Sequence, residues 1–433
     1  MIARAPAPAS GLPSILRALH HRDYRLLMAA TVMQNLTMPM QFITLTFWAA
    51  DTYEGKTALI SSLIVGVRGV GMLLFSFLGG AFADRFERRK VLLVCELTAL
   101  VVTALMGLCM VTTPFGNATI VAIVALVFLS AANMATDGPS RSASIPVIVG
   151  AQDMGSAIAL NNVAQQLTFP IVIPLVGFLS GTIGPGKVVL VSLLSWTVIL
   201  PAISLLKYSS RSAVVKRRSV RGTLADVRAG LIYVRRDTTI LAIIAMLATM
   251  QVVGMPGVGM LGPVWMTEIL GLSRAQFGLI AMLWGVGALV SSVGFAFWVK
   301  ATRRGTTLSA VVVAFAVAGI VFAHSRDPIV TAAANALLGA AMTGAIVTAM
   351  TMIQYTVADE MRGRVMGLFP LVMGASMLVV APVGIAGQAW GLEVVVPVLE
   401  WAMLGVAALL IVTQPILRGG RARARNAAVS EPA

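Results

Sequence analysis

Apolar residues occupy this chain in long blocks, and polar residues are concentrated in the stretches between them. Twelve of the apolar blocks reach about 20 residues, the length that a helix needs to cross a bilayer. Their approximate bounds are Tyr24–Trp48, Ala58–Phe82, Val91–Thr112, Thr119–Thr136, Gly155–Ile183, Val188–Leu206, Thr239–Met266, Phe277–Val299, Thr306–His324, Ile329–Val357, Val365–Gln388 and Val394–Leu417. The pattern therefore predicts twelve membrane-spanning helices.

One long polar block, residues 207–238, separates the sixth span from the seventh. Within it Leu224, Val227, Leu231 and Val234 recur with helical spacing, which predicts an amphipathic helix on the membrane surface. The chain is thereby divided into a tail (1–23), a six-helix bundle (24–206), this basic linker (207–238), a second six-helix bundle (239–417) and a tail (418–433).

The composition agrees with a polytopic membrane protein. Of the 433 residues, 58% are hydrophobic and 11% are charged, and the mean hydropathy is +0.90. A soluble fold would leave too much apolar surface in water, whereas membrane helices satisfy their own backbone hydrogen bonds. We therefore predict an all-α membrane protein.

The formal charge of +15 reflects membrane topology. The Lys and Arg residues fall on one side of the predicted spans, except for Lys56, Lys187, Arg274 and Arg326 on the other side and Arg68 within span two. Cytoplasmic loops carry the excess of positive charge, so that side is predicted to be the cytoplasm. Both termini are then cytoplasmic, and no nucleic-acid partner is expected.

A cluster of charges follows the second span. Asp84 is flanked by Arg85, Arg88 and Arg89, and Gly80 precedes it by one helical turn. The trailing cations alone would fit an ordinary cytoplasmic anchor, whereas a carboxylate among guanidinium groups can act as a latch. The spacing Gly-x-x-x-Asp-Arg-x-x-Arg-Arg-Lys resembles the loop motif of the major facilitator superfamily of secondary transporters.

Four further segments resemble one branch of that superfamily, the bacterial drug and siderophore exporters that include the enterobactin exporters. They are residues 136–141, 157–161, 226–236 and 359–367. The resemblance implies the major facilitator fold, in which two pseudo-symmetric six-helix bundles work by alternating access. It also implies a monomer in the bacterial cytoplasmic (inner) membrane.

The same resemblance implies a gate on the cytoplasmic side. Asp137 would receive Arg88 or Arg89 from the loop, and Asp84 would face the start of span eleven near Arg364. The predicted gating residues are Gly80, Asp84, Arg85, Arg88, Arg89, Asp137, Arg141 and Arg364.

Three charged residues, Arg68, Glu96 and Glu400, lie well inside predicted spans, where an unpaired charge costs at least a few kcal/mol. Arg68 is near mid-depth in span two and could either hold an anionic substrate or form a permanent ion pair. Glu96 is the nearest candidate partner, and Ala99 stands where family members often carry an arginine. Glu400 lies several residues inside span twelve, so we expect Glu400, and Glu96 with it, to carry protons.

Polar residues and methionines recur in spans one, four, seven and ten, which line the pathway in the family. They are Gln34, Asn35, Met38, Gln41, Asn133, Met246, Met250, Gln251, Asn335, Thr343 and Gln354. Methionines would give a pliable wall for bulky apolar ligands. These residues could line a substrate cavity, or they could serve packing between helices.

Span five contains Pro174, Gly177 and Gly181, which resemble the Gly-Pro-x-x-Gly element of antiporters, with Ile173 in place of the first glycine. The hypothesis is a proton-coupled exporter of small organic molecules, either drug-like amphiphiles or a siderophore. An uncoupled facilitator or uptake permease, and a receptor of the same fold that transports nothing, remain alternatives. The sequence contains no Walker loop and no metal-ligand cluster, so we expect neither enzymatic activity nor a cofactor.

Overall fold

The computed structural model describes residues 14–83, 87–207, 220–298 and 304–419. Every regular element within these ranges is a helix. The predicted all-α class is therefore confirmed.

The first half of the chain folds into long helices that run back and forth. They are a 3-10 helix Ser14–His20, α1 Arg22–Thr52, α2 Thr57–Ala83, α3 Arg88–Thr112, α4 Thr119–Thr182, α5 Pro185–Ser192 and α6 Trp196–Ser204. One 3-10 turn joins α5 to α6, so that the two form a single apolar stretch.

The longest element, α4, consists of two helical arms that meet at a kink. Gly150 has φ 70° and ψ 177°, a conformation that glycine adopts readily because it has no Cβ. We call 119–149 the first arm and 151–182 the second arm. The helix continues beyond Thr136, the predicted end of span four, and Asp137 and Arg141 are buried on it.

The second half has more breaks. Its helices are α7 Val220–Arg236, α8 Thr238–Ala248, α9 Gly262–Val264, α10 Arg274–Trp298, α11 Arg304–His324, α12 Pro328–Thr356, α13 Asp359–Met366, α14 Phe369–Trp390 and α15 Leu392–Thr413. Asp237 caps α8 by accepting hydrogen bonds from the amides of Thr239 and Ile240, and Asp327 caps α12 in the same way. The amphipathic helix α7 meets the following helix at an angle of 109°, so it lies across the end of the bundle.

The stretch that follows α8 departs from α-helical geometry. π-Helical turns occupy Thr249–Gly254, Pro256–Met260 and Trp265–Ile269. Each π turn adds residues to a helical turn and so changes which side chains face the neighbouring helices. A regular helical period therefore does not show which side chains of span seven face the neighbouring helices.

In the ranges described, nine helices are long and apolar enough to cross a membrane, or ten when one bent pair is counted as a single span. The 64 residues of α4 are long enough for two crossings at about 1.5 Å per residue, and the kink at Gly150 divides them. α1, with 31 residues, also has the length of a crossing. The helices are compatible with twelve spans.

Polar contacts join the two halves of the molecule at one end of the bundle. We call the end that holds the start of α1 the Tyr24 end, and the end that holds its last turn the Asp51 end. At the Asp51 end the guanidinium of Arg274 donates to the carboxylate of Asp51. Nearby, Gln388 Nε2 donates to the carbonyl oxygen of Gly55 at 3.1 Å.

Small residues bring the second arm of α4 against α10. A Cβ on Gly177 would overlap the carbonyl oxygen of Arg274, and a Cβ on Gly278 would lie 2.9 Å from Cα of Pro174. Gly181 has more room, since its Cβ would lie 3.9 Å from Cβ of Arg274. Pro174 and Gly177 therefore lie at a contact between the halves, and Gly181 lies at its margin.

A second close contact joins α2 to α14. A Cβ on Gly66 would lie 2.8 Å from Cβ of Ala381, and a Cβ on Gly69 would lie 2.8 Å from Cβ of Met377. Small residues at such positions let two membrane helices approach closely. The halves therefore meet along two helix pairs, α2 with α14 and α4 with α10.

Candidate functional site

A cavity of about 250 Å³ lies within the first half of the molecule. Its wall is built by α1, α2, α3, both arms of α4 and α6. Along the first arm of α4, the exposed wall residues Met134, Gly138 and Ser142 recur every four positions and so share one face. That exposed face extends toward the Tyr24 end.

A buried cluster of three charged residues borders this cavity, and two of them, Asp137 and Arg141, belong to its wall. Arg141 Nη2 lies 2.5 Å from Glu96 Oε1, and Arg141 Nε donates to Asp137 Oδ2 at 3.1 Å. Trp196 Nε1 donates to Glu96 Oε2 at 3.1 Å. Gln34 Nε2 donates to Asp137 Oδ2, also at 3.1 Å. One guanidinium thus serves two carboxylates, and charge-assisted hydrogen bonds connect α3, α4 and α6.

Arg68 stands apart from this cluster. It projects from α2, about 16 Å along the helix from its first residue, and only 7% of it is exposed. It lines the cavity, and it forms no ion pair with any residue that the structure describes. Its Nε atom is buried without a hydrogen-bond partner there. The first half therefore holds a buried cation that its own carboxylates do not neutralise directly.

Glu400 is a buried acid of the second half. It projects from α15, is 0% exposed, and neither carboxylate oxygen has a hydrogen-bond partner in the described ranges. Its side chain occupies space left by two glycines, because a Cβ on Gly257 would lie 3.4 Å from Oε1 and a Cβ on Gly319 would overlap Oε2. Glu400 does not line the first-half cavity.

The sequence model of transmembrane secretion effectors, a family of major facilitator transporters, matches residues 14–432. The chain belongs to this family. It is a multi-pass membrane transporter of the major facilitator type. No curated protein matches the transporter at the level of sequence.

Solved transporter structures share its fold. The nucleoside transporter NupG has a TM-score of 0.72 and 14% identity, covering 90% of this chain and 98% of that chain. A D-xylose-proton symporter has a TM-score of 0.70 and 12% identity, and the match covers 92% of this chain and 98% of that chain. A bacterial homologue of the iron transporter ferroportin, in an inward-facing state, has a TM-score of 0.67 and 14% identity. That match covers 90% of this chain and 98% of that chain. At these identities the likeness concerns the fold alone.

Within the transporter, the predicted cavity residues separate into two groups. Those of the first half line the cavity: Gln34, Asn35, Met38, Gln41 and Asn133. Those of the second half do not line it: Met246, Met250, Gln251, Asn335, Thr343 and Gln354. Helical spacing alone did not show which of these helix faces point toward the cavity.

The second-half residues have other surroundings. Met246 and Met250 are fully buried in the main hydrophobic core. Asn335 Nδ2 donates to the carbonyl oxygen of Ile280 at 2.9 Å, which is a packing contact between helices. Gln354 is exposed near the end of α12.

The predicted gate is only partly within the described ranges. Asp84 and Arg85 lie outside them, and Gly80 lies in the last turns of α2. Arg364 Nε donates to Asp226 Oδ1 at 2.8 Å, which ties α13 to α7. The expected approach of Asp84 to Arg364 therefore stays a prediction.

The predicted partners of Asp137 need correction. Arg88 donates to the carbonyl oxygen of Ala143 at 2.7 Å, and Arg89 donates to that of Ser204. The carboxylate of Asp137 is instead held by Arg141 from one turn further along α4. Arg88 and Arg89 thus donate to backbone carbonyl oxygens near the Tyr24 end, and Asp137 is paired with Arg141 of its own helix.

Several cavity residues carried no signal that singled them out in the sequence. They are Thr31, Thr103, Ser130, Gln165 and Trp196. Asn161, which also lines the cavity, was part of a segment that resembles the exporters. Trp196 lies one hundred positions from Glu96, its hydrogen-bond partner. Contacts of that separation cannot be found from the spacing of residues within one helix.

Proposed function

We propose that this transporter exports a small organic molecule from the bacterial cytoplasm in exchange for protons. The Tyr24 end faces the cytoplasm in this proposal, as the distribution of Lys and Arg predicts. The observation that carries it is the cavity of the first half, whose exposed wall residues extend toward the Tyr24 end, while polar contacts join the halves at the Asp51 end. A substrate would enter from the cytoplasm in this state.

Two groups of buried acids support proton coupling. Burying an unpaired charged carboxylate costs several kcal/mol, and binding a proton removes that cost, so Glu400 is a place to hold a proton in the second half. In the first half, Glu96 and Asp137 share one guanidinium. The three residues carry a net formal charge of −1, and Glu96 is the acid of the first half that would take up a proton.

The direction of transport is supported by the family, whose description is one of secretion. The size of the substrate is bounded by the cavity. Ligand pockets commonly measure about 300–1,000 Å³, and this cavity is slightly smaller in the present state. A drug-like amphiphile or part of a siderophore fits that volume.

Proton coupling can be tested in inside-out membrane vesicles that contain a pH-sensitive dye in the lumen. Ethidium serves as the drug-like probe and 2,3-dihydroxybenzoate as the siderophore fragment. We expect at least one of them to enter the acidified lumen and to draw protons out of it. In Glu400→Gln, which keeps the shape of the side chain, we expect probe entry to lose its dependence on the proton gradient.

Two results would contradict the proposal. Probe entry that continues unchanged after an uncoupler is added would instead favour an uncoupled facilitator, which counterflow without a pH gradient would then detect. Absence of entry for both probes, together with unaltered growth of a deletion strain on toxic amphiphiles and under iron limitation, would contradict export of these substrate classes.

A further inference from the structure

Two polar atoms in the cavity wall are buried without partners in the part of the chain that the structure describes. They are Nε of Arg68 and Nδ2 of Asn35, and both are hydrogen-bond donors. Every other buried side-chain nitrogen or oxygen of the cavity wall in those ranges is hydrogen-bonded. Leaving a buried donor unsatisfied is costly, so the cavity is suited to a ligand that brings an acceptor.

We propose that Arg68 and Asn35 together bind a carboxylate, so that the substrates of this cavity are amphiphilic organic monoanions. This inference rests on the proposed function, because it assumes that the cavity is the substrate site. It assigns a substrate class where the sequence left open whether Arg68 meets a ligand or a structural acid. A carboxylate has two oxygens and can accept from a guanidinium and from an amide at the same time.

The acids of the first half are already engaged, which leaves Arg68 available. Glu96 accepts from Arg141 through Oε1 and from Trp196 through Oε2. Asp137 accepts from Arg141 through both of its oxygens. A permanent ion pair between Arg68 and Glu96, the structural alternative, is therefore absent from this state.

The cluster also limits the charge of the ligand. Arg141 is engaged by two carboxylates, Glu96 and Asp137, so Arg68 is the one cation of the described cavity wall that is left for a ligand. A second anionic group on the ligand would lie beside two carboxylates without a cation of its own, and like charges at short range repel. One carboxylate is therefore the charge that the site accommodates.

The rest of the ligand meets an apolar and adaptable surface. Met28, Met38 and Met134 belong to the cavity wall. Methionine side chains are flexible and polarisable, and they pack well against aromatic rings of varied shape. The expected ligand thus has a carboxylate at one end and an aryl or alkyl body at the other.

The test compares a carboxylate with its uncharged analogue in the purified full-length transporter. Binding of dansylglycine and dansylglycinamide is measured by fluorescence, and a second pair, naphthylacetate and naphthylacetamide, by thermal stabilisation in detergent. We expect at least one carboxylate to bind tenfold or more tightly than its amide. In Arg68→Gln that preference should disappear while affinity for the amide is kept. In Asn35→Ala it should fall a few-fold.

Two further variants make the result specific. Arg68→Lys keeps the charge and loses the planar fork of donors, so it should retain part of the preference, and it serves if the glutamine variant does not fold. Arg326→Gln is the matched control, since Arg326 is half-exposed at the Asp51 end and pairs with Glu393. It should leave both affinities unchanged.

The proposal is overturned if neither pair shows a preference for the carboxylate in the wild type, or if the preference persists in Arg68→Gln. Its failure is distinguishable from failure of the proposed export. If the transporter exchanges ethidium for protons but binds each amide with the same affinity as its carboxylate, the proposed function stands and this substrate class is refuted. If it prefers carboxylates but its transport is unaffected by an uncoupler, this substrate class stands and proton coupling is refuted.

Discussion

Arg141 and Glu96 meet inside the first half of the transporter, with Nη2 of the guanidinium 2.5 Å from Oε1 of the carboxylate. The two residues come from different helices, α4 and α3, and both are buried. The same guanidinium holds Asp137. Since Arg141 and Asp137 line the cavity and Glu96 is bonded directly to Arg141, the packing of all three residues is coupled to the proposed binding site.

Removing the shared cation should cost more than removing either acid. Arg141→Gln leaves two buried carboxylates without a cation, so we expect the free energy of unfolding to fall by about 3–5 kcal/mol. Glu96→Gln leaves the Arg141–Asp137 pair intact and should cost only about 1 kcal/mol. Thermal unfolding in detergent measures both. The triple variant with Glu96→Gln and Asp137→Asn should recover much of the loss, and a triple variant as unstable as Arg141→Gln would contradict this account.

A single methyl group should disturb the surroundings of Glu400. Gly319→Ala would place its Cβ against Oε2 of Glu400, and overpacking of this kind costs about 1–3 kcal/mol. Glu400→Ala removes the opposing atoms, so the double variant should be no less stable than Glu400→Ala alone. The matched control is Gly405→Ala on α15, where nothing lies within 4 Å of the added carbon. Equal melting temperatures for Gly319→Ala and Gly405→Ala would show that the predicted overlap does not occur.

The contact between the halves at the Asp51 end should accept a disulfide. The Cβ of residue 181 would lie 3.9 Å from Cβ of Arg274, within the range of about 3.5–4.5 Å that disulfides span. With Cys95 and Cys109 replaced by serine, Gly181→Cys and Arg274→Cys should therefore cross-link under mild oxidant in membranes. Mass spectrometry of the digested protein detects the linked peptides. Two free thiols after oxidation, in a correctly folded variant, would contradict the observed approach of α4 to α10.

The helical class was predictable because the length of each apolar block matches the number of helical residues that cross a bilayer. The path of the chain around Asp137 was not predictable by the same reasoning. Charges normally end a membrane span, so the sequence predicts that span four ends at Thr136, just before Asp137. Asp137 and Arg141 continue α4 because Glu96, 45 positions away from Arg141, completes their neutralisation inside the protein.

The cavity was predictable in part, for a related reason. Gln34, Met38 and Gln41 on α1 share a helix face with regular geometry, and all three line the cavity. Met246 and Met250 instead lie in the core, and the π turns that begin at Thr249 break the regular period of that span. Whether Arg68 has an acidic partner depends on which carboxylates are already bonded to other residues. Only the tertiary structure shows those bonds.

The central claim is that the two halves close at one end as they open at the other. Gly177→Leu tests it without a known substrate, because the larger side chain would be forced against the carbonyl oxygen of Arg274 and should hold the Asp51 end apart. Gly181→Ala is the control, since its added carbon has ordinary van der Waals room. Both changes are made in the variant that lacks Cys95 and Cys109.

The direct measurement is the distance between spin labels by double electron–electron resonance, in one pair at each end. Glu54 with Ala389 reports on the Asp51 end and Gln152 with Gln354 on the Tyr24 end, and all four residues are exposed. Relative to Gly181→Ala, we expect Gly177→Leu to lengthen the first distance by several ångströms and to shorten the second. Two distances that lengthen together, or a second distance that does not change when the first does, would contradict alternating access by these halves.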